Sequence, residues 1–412
     1  MSSLTPPEES PFRIIGKSSD DIRKKIAESY RSLFLGNEQN EAVRFSHGKF
    51  QYIVDIGHSD IRSEGMSYGM FIAARLGIQP LFQSLWDFSK KFLRNPDGEY
   101  APYFAWQVGI RQNPTDFYKI DPGSAPDGEE YFAAALLVAA EKFKKPEYKC
   151  EACELLHQMA HRKSSEKLVA MFHPENFLVR FSPVKGNEFT DPSYHTLAFY
   201  RMFAKETGDS FWKKVYGESV AFLKKALHPE TGLAPDYANF DGSPKRTKFS
   251  PMSENFSGDA WRVAMNLALD FHWKIPDVCE REHAEAKIFE RNAIRKILRF
   301  FKTRGTNFAD YRIDGSPLEN SRPMTPGLIA MNAAATSALD MENAEDVELS
   351  RFFLNAFWNT PVPTGTWRYY DGMLYMLSLV ALGGETALEN FSECVNDFPR
   401  SSDPKEVHDR GV

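Results

Sequence analysis

The sequence predicts an all-α domain in which six inner helices are ringed by six outer ones. Three observations lead there. Helical stretches that are strongly apolar (62–77, 127–143, 255–272, 323–340, 369–382) tend to alternate with amphipathic ones (79–95, 149–162, 209–227, 281–303, 344–357). A helix that is apolar all round is buried and an amphipathic one faces water, so a double ring accounts for the alternation. No stretch offers a series of alternating strands, and no shift of composition marks a linker. Spacing between helix pairs is irregular and carries no repeat, which argues against a regular solenoid.

Taken in order, residues 1–18 are Pro/Ser-rich and read as a flexible segment, 19–385 as the domain, and 386–412 as a polar tail. Ile22, Ile26, Tyr30 and Leu33 mark an amphipathic helix over about 20–35. Residues 36–60 read as irregular, with a strand-like piece at Phe50 to Ile56. In the helix at 62–77, Met66, Met70, Phe71 and Ala74 recur at i, i+4, i+5 and i+8, one broad apolar face. Leu81, Leu85, Phe88 and Phe92 pattern the next helix. A long loop is expected over 96–126, then an apolar helix opening at Pro126. A further helix is expected over 191–206.

Composition excludes several classes. Net charge is −6 with no basic block, so a nucleic-acid surface is not expected. No apolar run reaches the roughly 18 residues that span a membrane. The start has neither a basic nor an apolar leader region, which leads to the expectation of a cytoplasmic protein. Cys150 and Cys153 with His157 and His161 imitate a zinc set. On one straight helix, however, the outer two would stand about 16 Å apart at ~1.5 Å per residue, whereas zinc ligands sit within ~2.3 Å of the ion. No metal and no cofactor are expected. The sequence says nothing about oligomeric state.

Polar groups at the mouths of inner helices gather at one end of such a double ring, and three mouths carry acids. They are Ser63-Glu64-Gly65, Pro126-Asp127-Gly128-Glu129-Glu130 and Ser253 through Asp259 to Arg262. A carboxyl at the mouth of a buried helix is costly when charged, so its pKa rises and it can act as a general acid. The plain alternative for Glu64 is a complement to the helix dipole, for Asp127 a helix cap, and for Asp259 a pairing with Arg262. Tyr68, Trp106, Tyr194, Phe256, Trp261, Tyr369 and Tyr370 lie nearby, whereas Trp86, Trp212 and Trp273 read as core. Acids beside flat aromatic faces suggest a carbohydrate cleft. Residue types alone leave a glycosidase and ordinary packing both open.

Motifs add to this. Ser63-Glu-Gly-Met-Ser-Tyr-Gly-Met70, Pro126-Asp-Gly-Glu-Glu-Tyr-Phe132, Asp191-Pro-Ser-Tyr194 and Phe256-Ser-Gly-Asp-Ala-Trp-Arg262 fall in the order seen in glycoside hydrolase family 8, which the chain resembles over roughly 20–382. Tyr103 to Gln107 and Arg368 to Tyr375 are similar to its reducing-end xylose-releasing exo-oligoxylanases. The resemblance implies an (α/α)6 barrel, a xylo-oligosaccharide substrate and an inverting mechanism. It implies Glu64 as general acid, Asp259 as general base and Asp127 as the acid holding the sugar ring. Trp106, Tyr194, Arg262, Tyr369, Tyr370 and Arg322 are the expected substrate-binding residues.

One departure stands out. In the exo-acting enzymes a loop closes the cleft past the leaving sugar, and a His in it reads the reducing-end hydroxyl. The matching stretch, 314–327, has no His, and none occurs between His283 and His408. Met324 stands near the expected place, with Arg322 and Asn320 as candidate substitutes. An endo-acting relative (a xylanase, β-glucanase or chitosanase) and a non-catalytic sugar-binding protein remain as alternatives.

Overall fold

The computed structural model describes residues 9–111, 116–276, 278–305 and 307–396. Its α-helices are α1 (Ser19–Tyr30), α2 (Ser63–Leu76), α3 (Gln79–Phe88), α4 (Pro126–Lys142), α5 (Pro146–His161), α6 (Leu197–Thr207), α7 (Ser210–Ala226), α8 (Arg262–His272), α9 (Glu280–Arg304), α10 (Pro326–Ala335), α11 (Ala344–Asn359), α12 (Arg368–Leu382) and the short α13 (Glu385–Leu388) and α14 (Phe391–Asn396). The even-numbered helices from α2 to α12 pack each on the next, and α12 closes on α2. Outside them α3, α5, α7, α9 and α11 each pack on the inner helix before them in the chain, and α1 packs on α12. This is the (α/α)6 barrel.

Composition explains which helices lie inside. α4 is buried continuously from Pro126 to Ala139, and its Ala133-Ala134-Ala135 run lets neighbours approach closely. α9 shows water a face of Glu, Lys and Arg and buries only a stripe that includes Ala286, Ile294, Ile297 and Phe301. Two glycines draw the inner-helix starts together. A Cβ on Gly128 would fall 2.6 Å from Ser63 Oγ, and one on Gly65 would fall 2.6 Å from the Tyr369 hydroxyl. The first turns of α4 and α12 therefore abut that of α2, which places Glu64 and Asp127 side by side.

Several expected boundaries move. The helix expected over 255–272 starts only at Arg262, because the backbone of 256–260 is taken by distant partners. Phe256 exchanges two hydrogen bonds with Tyr311, and Ser257 and Ala260 donate to Asp236. The helix expected over 191–206 opens as a 3-10 turn at Pro192–Tyr194 before α6. The one expected over 323–340 is α10 followed by a 3-10 turn at Thr336–Ala338. The loop expected over 96–126 contains β4 (Gln107–Ile110) and β5 (Phe117–Asp121); β4 pairs antiparallel with β3 (Asp60–Arg62) on one side and with β5 on the other. The stretch expected to be irregular at 36–60 holds a hairpin of β1 (Arg44–His47) and β2 (Phe50–Ile53). Beyond 386, Leu388 and Phe391 are buried, and Phe391 meets Tyr30 edge-on at 6.3 Å. At the other terminus Phe12 is fully buried against Phe357 and Trp358. Cys150 and Cys153 lie on one unbroken helix, α5. Among the described residues no helix is long and apolar enough to cross a membrane.

At the far end of the barrel a buried ion pair ties four helices. Arg201 Nε of α6 donates to Asp270 Oδ1 of α8 at 2.7 Å, and its Nη2 reaches the carbonyls of Asp270 and Trp273. Tyr216 of α7 donates to Asp270 Oδ2 at 3.0 Å, and His283 of α9 donates to the Asp270 carbonyl at 2.8 Å. Removing one member leaves a buried charge uncompensated. Arg201→Met should therefore destabilise the fold by about 3–5 kcal/mol in urea unfolding; a loss under about 1 kcal/mol would show that the pair is dispensable.

Candidate active site

Glu64 is the second residue of α2, held by Ser63 Oγ, which donates to its Oε2 at 3.1 Å. A helix start favours a charged carboxylate, but burial and the neighbouring Asp127 charge outweigh it and push this carboxyl up to about 7. Arg62 and Arg262 pull the other way. The three-stranded sheet aims Arg62. Its guanidinium pairs with Asp55 at 3.1 Å and Asp60 at 3.1 Å, and Arg62 stands opposite Gln107 in the β3–β4 register.

Arg262, the first residue of α8, organises the rest. Its Nη1 donates to Asp127 Oδ2 at 2.5 Å and to the Tyr68 hydroxyl at 2.7 Å. Its Nη2 donates to Asp259 Oδ1 at 3.0 Å and reaches Asp191 Oδ2 at 3.5 Å. Tyr68 in turn donates to Asp127 at 3.3 Å. Asp127 and Asp191 are essentially inaccessible, whereas the Asp259 side chain is 38% exposed. Burial raises the pKa of Asp127 despite Arg262, and raises that of Asp191 well above the usual carboxylate range, with the Asp259 charge adding to it.

The plain alternatives for two acids are therefore present and insufficient. Asp127 Oδ1 does accept its neighbour's N–H, from Gly128 at 2.9 Å, but Oδ2 belongs to Arg262. Asp259 does pair with Arg262, yet it stands on the turn before the helix with its carboxylate open to solvent.

The remaining candidates surround this cluster. The Trp106 carbonyl accepts the Ser63 N–H at 3.0 Å, and the Arg62 guanidinium lies 5.8 Å from its ring centre. Tyr194 is buried under Arg262 at 5.6 Å and lies nearly parallel to Phe181 at 6.1 Å. Tyr369 packs against Gly65, beside Glu64. Tyr370 donates its hydroxyl to the Gly258 carbonyl at 2.7 Å and stands 6.0 Å from Trp261. Arg322 grips Asp310 with Nε at 2.9 Å and Nη2 at 2.6 Å, reaches Ser257 Oγ at 3.0 Å, and covers the Trp261 ring at 4.9 Å. The structure thus brings all nine expected residues to one end of the barrel. Met324 is half-buried against the core, and Asn320 is exposed in a turn. Trp86, Trp212 and Trp273 are core.

Sequence reasoning placed Tyr68 near the acids as an aromatic face but not as the hydrogen-bond partner of Asp127 and Arg262, and it missed Asp191, Asp236 and Asp310 as members of the site. Asp191 and Tyr68 sit inside motifs that were read for other residues. Asp236 and Asp310 carry no local signal, since their partners lie across the fold. Among the described residues the group with metal-binding donors, Asp270, His283 and Glu290, is at the opposite end, where Arg201 and Tyr216 already occupy the Asp270 carboxylate. What the cluster offers is a carboxyl that keeps its proton near neutral pH and an open carboxylate beside a guanidinium. That pairing serves acid and base roles across one bond.

The reducing-end xylose-releasing exo-oligoxylanase Rex8A of Paenibacillus barcinonensis is 34% identical over 383 residues, covering 90% of this chain and 94% of that one. Its structure complexed with xylose superposes with a TM-score of 0.80 over 93% of this chain and 97% of that one. A family 8 xylobiose complex from Teredinibacter turnerae gives 0.81 at 34% identity, covering 92% and 97%. The signature of the glycosyl hydrolases family 8 matches residues 41–382, and the chain belongs to that family.

Proposed function

We propose that this enzyme releases xylose from the reducing end of β-1,4-xylo-oligosaccharides with inversion of configuration. The observation that carries the reading is the opposite character of Glu64 and Asp259 around one guanidinium. Glu64, neutral to about pH 7, protonates the leaving oxygen. Asp259, open to the cleft, takes a proton from a water that attacks the anomeric carbon from the opposite face. Inversion needs roughly 6.5–9.5 Å between the two carboxyls to leave room for that water. Asp127, fixed by Arg262 and Tyr68, offers oxygens to ring hydroxyls and keeps the proton on Glu64. Tyr194, Tyr369, Tyr370 and Trp106 supply walls for the sugars. The names of the relatives support xylo-oligosaccharides as the substrate class.

The missing loop His keeps an endo-acting reading open as the second possibility. Against it, the loop at 314–327 and the stretch leading into it are fastened to the segment bearing Asp259. Tyr311 pairs with Phe256, Trp261 Nε1 donates to the Ala309 carbonyl at 3.2 Å, and Arg322 reaches Ser257. On this reading Arg322 takes over recognition of the free reducing end.

Three outcomes follow. Glu64→Ala and Asp259→Asn should each lower turnover by about 10²–10⁴-fold with the fold intact, and early NMR spectra of xylotriose digestion should show the newly formed reducing end of xylobiose as the α-anomer; a β-anomer there would sink inversion. The basic limb of the kcat/KM profile should fall through about pH 7, because Glu64 must keep its proton. Arg62→Met removes a cation that favours ionised Glu64, so the limb should move to higher pH; an unmoved limb would mean that another group titrates there. Timed digestion of reducing-end-labelled xylo-oligosaccharides should release labelled xylose first. Arg322→Ala should relax discrimination against a reducing-end methyl glycoside by about tenfold; internal cleavage by the wild type would instead favour the endo reading.

A further inference from the structure

Asp259 is less well held by its own helix than its position suggests. It precedes α8, and the local backbone bond that its peptide makes is the long 3.3 Å contact from the Arg262 N–H to its carbonyl. Gly258 precedes it, so the turn has little stiffness of its own. Support comes from Asp236, upstream in the chain. Asp236 Oδ1 accepts the N–H of Ser257 at 3.1 Å and that of Ala260 at 2.9 Å. These two donors flank Asp259 on either side. The strand-like stretch around Asp236 is in turn zipped to the same segment: its N–H donates to the Asn255 carbonyl, and that of Tyr237 to the Ser253 carbonyl, each at 2.8 Å.

Asp236 is itself 8% exposed, and burial together with the nearby Asp259 charge raises its pKa well above the usual range. A group that is costly to bury charged beside another acid is retained here with two backbone donors on one oxygen.

We propose that Asp236 is the positioning residue for the general base: one carboxylate oxygen clamps the turn 257–260 from behind and sets where the Asp259 carboxylate, and the water it activates, stand against the anomeric carbon. The inference rests on Asp259 being the base. Displacement of a reacting group by about 1 Å costs on the order of 10²-fold in rate. Because Asp236 touches the turn and not the sugar, its loss acts on turnover, not on binding.

The test is a kinetic comparison of Asp236→Ala, Asp236→Asn and Asp259→Ala on xylotriose, with melting temperatures alongside. Asp236→Ala should lower kcat by about 10²-fold with KM changed less than about threefold. Asp236→Asn, which keeps an acceptor oxygen, should recover to within about fivefold of wild type. Asp236→Ala within about threefold of wild-type kcat overturns the inference, as does Asp236→Asn no faster than Asp236→Ala. A rise in KM matching the fall in kcat/KM also overturns it. Should Asp236→Ala fail to fold, Asp236→Asn alone decides, and a kcat loss beyond about tenfold counts against positioning. Asp259→Ala separates the two claims: if it stays active, the assignment of the base fails, whatever Asp236 does.

Discussion

One buried guanidinium makes this site possible. Arg262 meets Asp127, Asp259 and, at longer range, Asp191, with Glu64 beside them. Burial raises the pKa of Glu64, Asp127 and Asp191 against the pull of this guanidinium. Asp259 keeps access to water and a charge-assisted bond to Nη2. Glu64 is close to the Asp127 charge and holds its proton to about pH 7. The guanidinium thus distinguishes Asp259, which it touches, from Glu64, which it does not bond. Replacing Arg262 would collapse that difference and leave Asp127 and Asp191 unpaired.

The barrel exists, in functional terms, to bring the starts of the inner helices within reach of that cation. Small residues do most of this. Gly128 lets α4 begin against Ser63, and Gly65 lets α2 begin under the Tyr369 ring of α12. Helix starts also present backbone donors and a favourable dipole for anions, worth roughly 0.3–1 kcal/mol each. That term is too small to offset full burial of Glu64, whose carboxyl consequently titrates far above an exposed glutamate. A looser ring would admit water, lower that pKa and weaken the acid.

The inner and outer helices were legible because burial writes itself into periodicity, and Met66, Met70, Phe71 and Ala74 are a one-face pattern that tertiary packing then obeys. Glu64 and Asp127 were legible as acids at the mouths of apolar helices. The lead-in to α8 was not. Phe256, Ala260 and Trp261 follow helical spacing, and the reason they are not helical lies in Tyr311 and Asp236, far away in sequence. The β3–β4–β5 sheet was missed for a similar cause. Gln107–Ile110 and Phe117–Asp121 are short and pair with each other across a connection, so neither shows enough alternation to declare itself. Arg322 could be proposed from its place in the loop, but its grip on Asp310 and Ser257 is a property of the fold.

That grip links two functions usually considered apart. The segment 256–262 carries Asp259, contacts the guanidinium, and anchors the loop at 314–327 and the stretch leading into it through Phe256, Ser257 and Trp261. Tyr370 braces the same segment from α12 through the Gly258 carbonyl. A shift in the loop therefore moves the turn that aims Asp259, and a shift in that turn moves the wall that meets the leaving sugar. Loss of a loop His removes one hydroxyl contact without touching this frame, whereas loss of the Arg322–Asp310 pair would disturb both. On this ground, changes that widen the cleft by deleting loop residues near Arg322 carry a cost in turnover, while changes confined to exposed Asn320 do not.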